Sequence, residues 1–266
     1  MTKQNFTLFY FATIDRPYIL NKHDFYVNEA KRRIFSQFDE SSFEVEANKK
    51  EQEYYEEASV RFNPDYDDEG SIYEQAYHEG ISYWLSLNEM KKTVSLALTA
   101  GMFHQFDKDL RQKCIHEFSH WLDYKIVSLM FWNIGFPRLI ELLEWIGMDI
   151  KEKDYYKKID ICRHIINVYK HGDGHAHQEL SIAHPEYYYN PGEFSFGLHH
   201  EQLEINKAQF IEFADAITDF WNNIPIYCMS SNIRTEPEWL NEEYKKYEKK
   251  ATKIQIQNDK EGILPI

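Results

Sequence analysis

No proline interrupts the chain between Ser71 and Phe131, and through that stretch apolar residues recur at helical spacing, at Trp84, Leu85, Leu87, Val94, Leu96, Leu98, Met102 and Phe103. Proline within a helix removes a backbone donor and collides with the preceding turn, so its absence beside a 3.6-residue apolar period predicts one very long helix or two end to end. Gly101 marks the place for a kink or a close helix contact. Only 10 Gly and 8 Pro occur among 266 residues, which favours long helices over a sandwich of many short strands.

Turn chemistry sets the remaining elements. Residues 6–14 read as a short strand or a buried helix start. Asn21 caps a helix to about Phe38, and a second helix, Val45–Arg61, stops at the Asn63-Pro64 turn before the acidic loop Asp65–Glu69. After a break at Gly135-Phe136-Pro137, helix Arg138–Ile146 is closed by Gly147, and helix Asp154–His171 is closed by Gly172. Residues 173–205, with Pro185, Pro191, Gly192, Gly197 and the tyrosines 187–189, read as mostly loop. Asn206 caps a last core helix through Trp221, and Lys245–Lys253 lies in a peripheral helix. The expected fold is mainly α, an antiparallel bundle of long helices. It divides into an acidic helical appendage (1–70), a helical core (71–225) and a C-terminal helix with its tail (226–266).

Acidic residues number 44 against 30 Lys plus Arg, a formal charge of −14 that repels the phosphates of bulk nucleic acid. The imbalance is steepest in residues 1–80, with 17 acids against 9 bases, so a local cationic site belongs in the later part of the chain. Hydrophobic residues at 43% exclude a disordered chain. Cys114, Cys162 and Cys228, odd in number and set among apolar residues, read as reduced core thiols. The apolar stretches Val94–Phe103 and Ile126–Phe136 fall short of the roughly 20 residues that span a bilayer. With no convincing export signal, the expected location is the cytoplasm, with no membrane association.

The segment Ile159–Leu180, IDICRHIINVYKHGDGHAHQEL, carries the most chemistry. On a helix, Arg163, His164, Asn167, Lys170 and His171 share an arc of roughly 120°, with Ile161, Ile165, Ile166, Val168 and Tyr169 around the remainder. Arg163 and Lys170 suit a phosphate and His171 a proton transfer, the set that metal-free phosphodiester cleavage needs. The alternative is a solvated face whose Lys170 and His171 favour the negative end of the helix dipole.

Arg163…Asn167-x-x-Lys170-His171-Gly172, together with FHQFDKDLR at Phe103–Arg111 and FADAITDFWNNIP at Phe213–Pro225, resembles the HEPN superfamily (higher eukaryotes and prokaryotes nucleotide-binding domains) over about residues 80–225. The resemblance implies an α-helical bundle, often dimeric, in which Arg and His cut RNA without a metal or other cofactor, in toxin–antitoxin and antiphage defence systems. His171 then matches the catalytic His and Asn167 its polar neighbour, while Arg163 stands nearly one turn before the family's position. Two alternatives follow: an active endoribonuclease acting as a homodimer, or a non-catalytic assembly or sensor subunit that binds a partner protein.

His104, Asp107 and Arg111 share one face of the long helix, either as a surface ion pair or as a polar wall contributing to substrate binding together with His164. A rival motif follows: His116-Glu117-Phe118-Ser119-His120 is an HExxH, similar to that of zinc peptidases, in which a helix presents both imidazoles to Zn²⁺ and Glu117 acts as general base on bound water, so that a zinc metallopeptidase is the third alternative. Glu141 and Glu144 are the nearby carboxylates for a third ligand. His171, Asp173, His175 and His177 alternate as a further metal set, although Gly172 and Gly174 favour a turn there. The tyrosines 187–189 either stack on bases or pack their loop onto the helices.

Overall fold

The computed structural model describes residues 5–38, 40–189 and 197–261. Helices dominate it. In chain order come β1 (Thr7–Tyr10), α1 (Asp15–Glu29), α2 (Glu40–Arg61), α3 (Glu69–Phe118), α4 (Tyr124–Asn133), α5 (Phe136–Trp145), α6 (Asp154–His171), α7 (His175–Ala183), α8 (Lys207–Asn223), β2 (Tyr227–Met229) and α9 (Leu240–Glu261). No helix of the described residues is long and apolar enough to cross a membrane.

The chain divides into two compact units, one drawing on Met1–Asp24, Met102–Cys162 and Phe213–Ile266, the other on Phe25–Gly101 and Arg163–Glu212. In the first, β1 pairs antiparallel with β2, Phe9 opposite Cys228 and Tyr10 opposite Tyr227. Leu8, Phe9 and Phe11 are buried, and Phe11 stacks on Trp221 with ring centroids 5.9 Å apart. Phe106 meets Phe220 and Trp221 edge-on at 5.0 and 5.7 Å, the arrangement that ring quadrupoles favour. Two arginines satisfy helix ends that would otherwise expose bare carbonyls: Arg16 donates to Trp221 and Ile224 at the end of α8, and Arg111 to Phe131 and Ile134 at the end of α4. Cys114, Cys162 and Cys228 are free and buried, and burial pushes each thiol up, Cys228 to about 11.

In the second unit, α2 and the first half of α3 form an antiparallel pair. Tyr54 donates to Gln75, Tyr55 stacks on Tyr73 at 4.4 Å, and Tyr83 donates to Glu46, so position falls along one helix as it rises along the other. Gly101 makes the close contact that its position in the sequence suggested. The Tyr26 hydroxyl, which donates to the Leu98 carbonyl, lies 2.6 Å from where a Cβ on Gly101 would stand.

Several boundaries differ from the sequence reading. Helix α1 starts at Asp15, whose carboxylate accepts from the Ala12 amide, with Pro17 tolerated in the first turn. It does not run on regularly to Phe38 but passes through a π-turn, Ala30–Ile34, and a 3₁₀ turn, Phe35–Gln37. The proline-free run breaks after Phe118 because Asp123 caps a new helix, accepting from the Lys125 and Ile126 amides. Residues 175–183, read as loop, form α7, and β2 had no counterpart in the sequence reading. Pro191 and Gly192 of that expected loop lie outside the described residues.

Candidate functional site

The α6 polar arc ends in a cluster of imidazoles and carboxylates that α7 and the 200s bring to it. Ile165, Ile166 and Val168 are buried, Ile161 is half-buried, and Tyr169, expected among them, is exposed. On the polar side Arg163, His164 and Asn167 are half-buried, and Lys170 and His171 are exposed. The Arg163 guanidinium lies 2.6 Å from His164 Nε2. Guanidinium can only donate, so Nε2 accepts and the His164 proton sits on Nδ1, facing the Glu179 carboxylate 3.6 Å away. Glu179 also faces His175 Nδ1 at 3.2 Å.

Gly172 ends α6 with φ +66°, a left-handed conformation that glycine adopts at little cost. The turn delivers Asp173, whose Oδ1 accepts from His200 Nδ1 at 2.9 Å. That bond leaves His200 Nε2 as the bare nitrogen of the neutral ring. The same ring packs on Gly172, Nε2 lying 3.4 Å from where a Cβ would stand. Behind it His177 is buried: its Nε2 donates to the Leu198 carbonyl at 3.1 Å, so Nδ1 accepts from the Tyr188 hydroxyl at 3.0 Å. Burial, and secondarily the Asp173 charge, pushes the Tyr188 phenol up to about 12, which keeps that donor protonated. Tyr187 and Tyr188 are buried and pack their segment in place, while Tyr189 is exposed.

Sequence reasoning missed His200 and Glu179, and it named Tyr188 only as part of the tyrosine run, because the contacts that place all three are made by tertiary structure. His171, Asp173, His175 and His177 do not form an extended metal-binding set, since α7 starts at His175 and Asp173 turns to His200.

The other predicted groups lie in the first unit, on α3. Arg111 is buried, donating to Asp107 Oδ2 at 2.8 Å as well as to the two α4 carbonyls, so its fork is occupied by the fold. Asp107 Oδ1 is buried with no hydrogen-bond partner among the described residues. His104 is exposed beside Phe103.

In the HExxH segment, His116 and His120 are exposed and Glu117 is buried, with their possible ligand atoms all within 4.8 Å of one another. Glu117 accepts from the Tyr10 amide at 2.9 Å and from Lys113 Nζ at 2.7 Å, and Lys113 reaches Asp15 at 2.7 Å over the rings of Phe9 and Phe11. Glu141 accepts from Trp239, and Glu144 from the Ile150 and Lys151 amides and Arg234. Neither joins the histidines. Compared with known proteins, the chain matches no family model, no curated sequence and no solved structure.

Proposed function

We propose that the Gly172 end of α6 cleaves RNA without a metal, in a HEPN-like protein of a bacterial antiphage defence or toxin–antitoxin system. The observation that carries this reading is the Asp173–His200 hydrogen bond, which holds an oriented imidazole against Gly172, one residue after His171. Cleavage by internal transesterification needs a base for the ribose 2′-hydroxyl and an acid for the 5′-oxygen that leaves. His200 Nε2 takes the 2′ proton, the freed oxygen attacks phosphorus, and protonated His171 gives its proton to the departing oxygen, leaving a cyclic phosphate. Lys170 and Arg163 stabilise the charge gathering on phosphate, Asn167 orients it, and His164, held between Arg163 and Glu179, keeps the guanidinium in place.

The test is cleavage of a single-stranded RNA by the full chain in excess chelator. His171→Ala and His200→Ala should each lower the rate about 10²–10⁴-fold while the fold persists. Cutting at the parent rate by either variant removes the mechanism.

One observation favours the second reading, a non-catalytic subunit. Tyr73, Tyr77, Ile81, Trp84 and Leu85 form an exposed apolar row along α3, suited to a second copy or a partner protein. An Ile81→Lys variant that changes the assembly state while no RNA is cut by the parent chain selects that reading. Zinc peptidase chemistry finds less support, because Glu117 is tied to Lys113 and Tyr10 instead of facing a metal-bound water.

A further inference from the structure

We propose that His116 and His120, with Glu117 beside them, bind one divalent transition-metal ion that clips the end of α3 to the turn leading into α4. The site is independent of the RNA-cleaving reading and lies on different elements.

The two imidazoles stand with centroids 5.1 Å apart and planes at 80°, and Glu117 Oε1 is 3.9 Å from His116 Nε2. Two nitrogens bound to a tetrahedral Zn²⁺ at about 2.0–2.1 Å stand roughly 3.3 Å apart. The spread of ligand atoms, at most 4.8 Å, therefore closes by rotation of two exposed side chains, without movement of the helix. The buried carboxylate supplies fixed negative charge beneath the ion. Lys113 and the Tyr10 amide draw on the same carboxylate, which makes Glu117 a weaker ligand than either histidine. Water fills the remaining positions, since both histidines face solvent.

The donor set selects the ion. Imidazole with a single carboxylate suits Zn²⁺, Cu²⁺ or Ni²⁺, whereas Mg²⁺ and Ca²⁺ need a shell of oxygens. Location gives the consequence. His116 belongs to the last turn of α3, which ends at Phe118, and His120 follows in the turn before the Asp123 cap of α4. An ion held by both pins the point at which the long proline-free run changes direction, and binding to the folded state alone raises stability by mass action.

The experiment is a Zn²⁺ titration of the untagged full chain, stripped with chelator and dialysed, followed by calorimetry and thermal unfolding. The expected result is one zinc per chain with a raised unfolding temperature, at least a 10-fold loss of affinity in His116→Ala and in His120→Ala, and no specific binding in the double variant. His104→Ala, which removes another exposed histidine of the same helix, should bind as the parent does, and Mg²⁺ should not compete. Zinc binding that survives in the double variant, or no binding by the parent chain at micromolar zinc, overturns the proposal. RNA cleavage in chelator is read separately, so either reading can fail alone.

Discussion

The Arg111 guanidinium stands 2.9 Å from the Ile134 carbonyl oxygen, so a side chain from within α3 closes the far end of α4. A residue that looked like a substrate ligand on a helical wheel thereby acts as a capping group, with Asp107 balancing its charge.

Replacing Arg111 with Ala leaves a partly buried carboxylate and two bare carbonyls, and should lower unfolding stability by about 3–5 kcal/mol. Arg111→Lys keeps the charge but loses the planar fork, so it recovers only part of the loss. Urea denaturation of the two variants measures both effects.

Lys113 bridges Asp15 and Glu117 over the rings of Phe9 and Phe11, which ties the β1 segment to the end of α3. Its side chain is 11% exposed and that of Glu117 only 5%, so solvent screens the pair weakly. Lys113→Ala should cost about 3 kcal/mol or more, and hydrogen exchange at the Tyr10 amide should quicken. Normal protection of that amide in the variant would show that Lys113 does not hold the strand.

Gly101 and Tyr26 form a coupled pair in the second unit. Gly101→Ala drives a Cβ into the Tyr26 hydroxyl and should destabilise the chain, whereas in a Tyr26→Phe background the obstacle is absent and the higher helix propensity of Ala returns roughly 1 kcal/mol. A double-mutant cycle tests the pair, and additive effects would show that the hydroxyl is not the obstacle.

His23 is buried in the first unit, with Nε2 donating to the Ala214 carbonyl at 3.0 Å. Burial holds its pKa below the ordinary 6.5, against the smaller opposing effect of that hydrogen bond. The folded state therefore binds fewer protons than the unfolded state as pH falls through 6.5, and His23 makes the chain lose stability on acidification until its own folded pKa is passed. His23→Gln should flatten that part of the stability profile, measured by denaturation between pH 7.5 and pH 5.

Helix α6 was readable to its ends, because a carboxylate in the first turn, Lys170 and His171 in the last turn and Gly172 beyond it agree with the apolar period. The same agreement fixed Gly147, which turns with φ +100° after α5. Mainly α character followed from the long run without proline. Where local signals conflicted, the reading slipped: α7 is short, stands between Gly174 and Pro185, and is held by buried His177 and Leu180. β2 has three residues, and only its pairing with β1 makes it a strand. The candidate site was half legible. Its α6 residues share a helical face that sequence displays, whereas His200 stands 27 positions from Asp173 and meets it only through tertiary structure.

The pairing of β1 with β2 also bears on how the chain is made. Phe9 leaves the ribosome long before Cys228 is synthesised, and at about 5–20 residues per second the interval is roughly 10–45 s. Throughout that time Leu8, Phe9 and Phe11 lack the strand and the Trp221 ring that later cover them. The first unit thus matures only near the end of translation, and its leading segment is where a holdase chaperone would be most useful to the nascent chain.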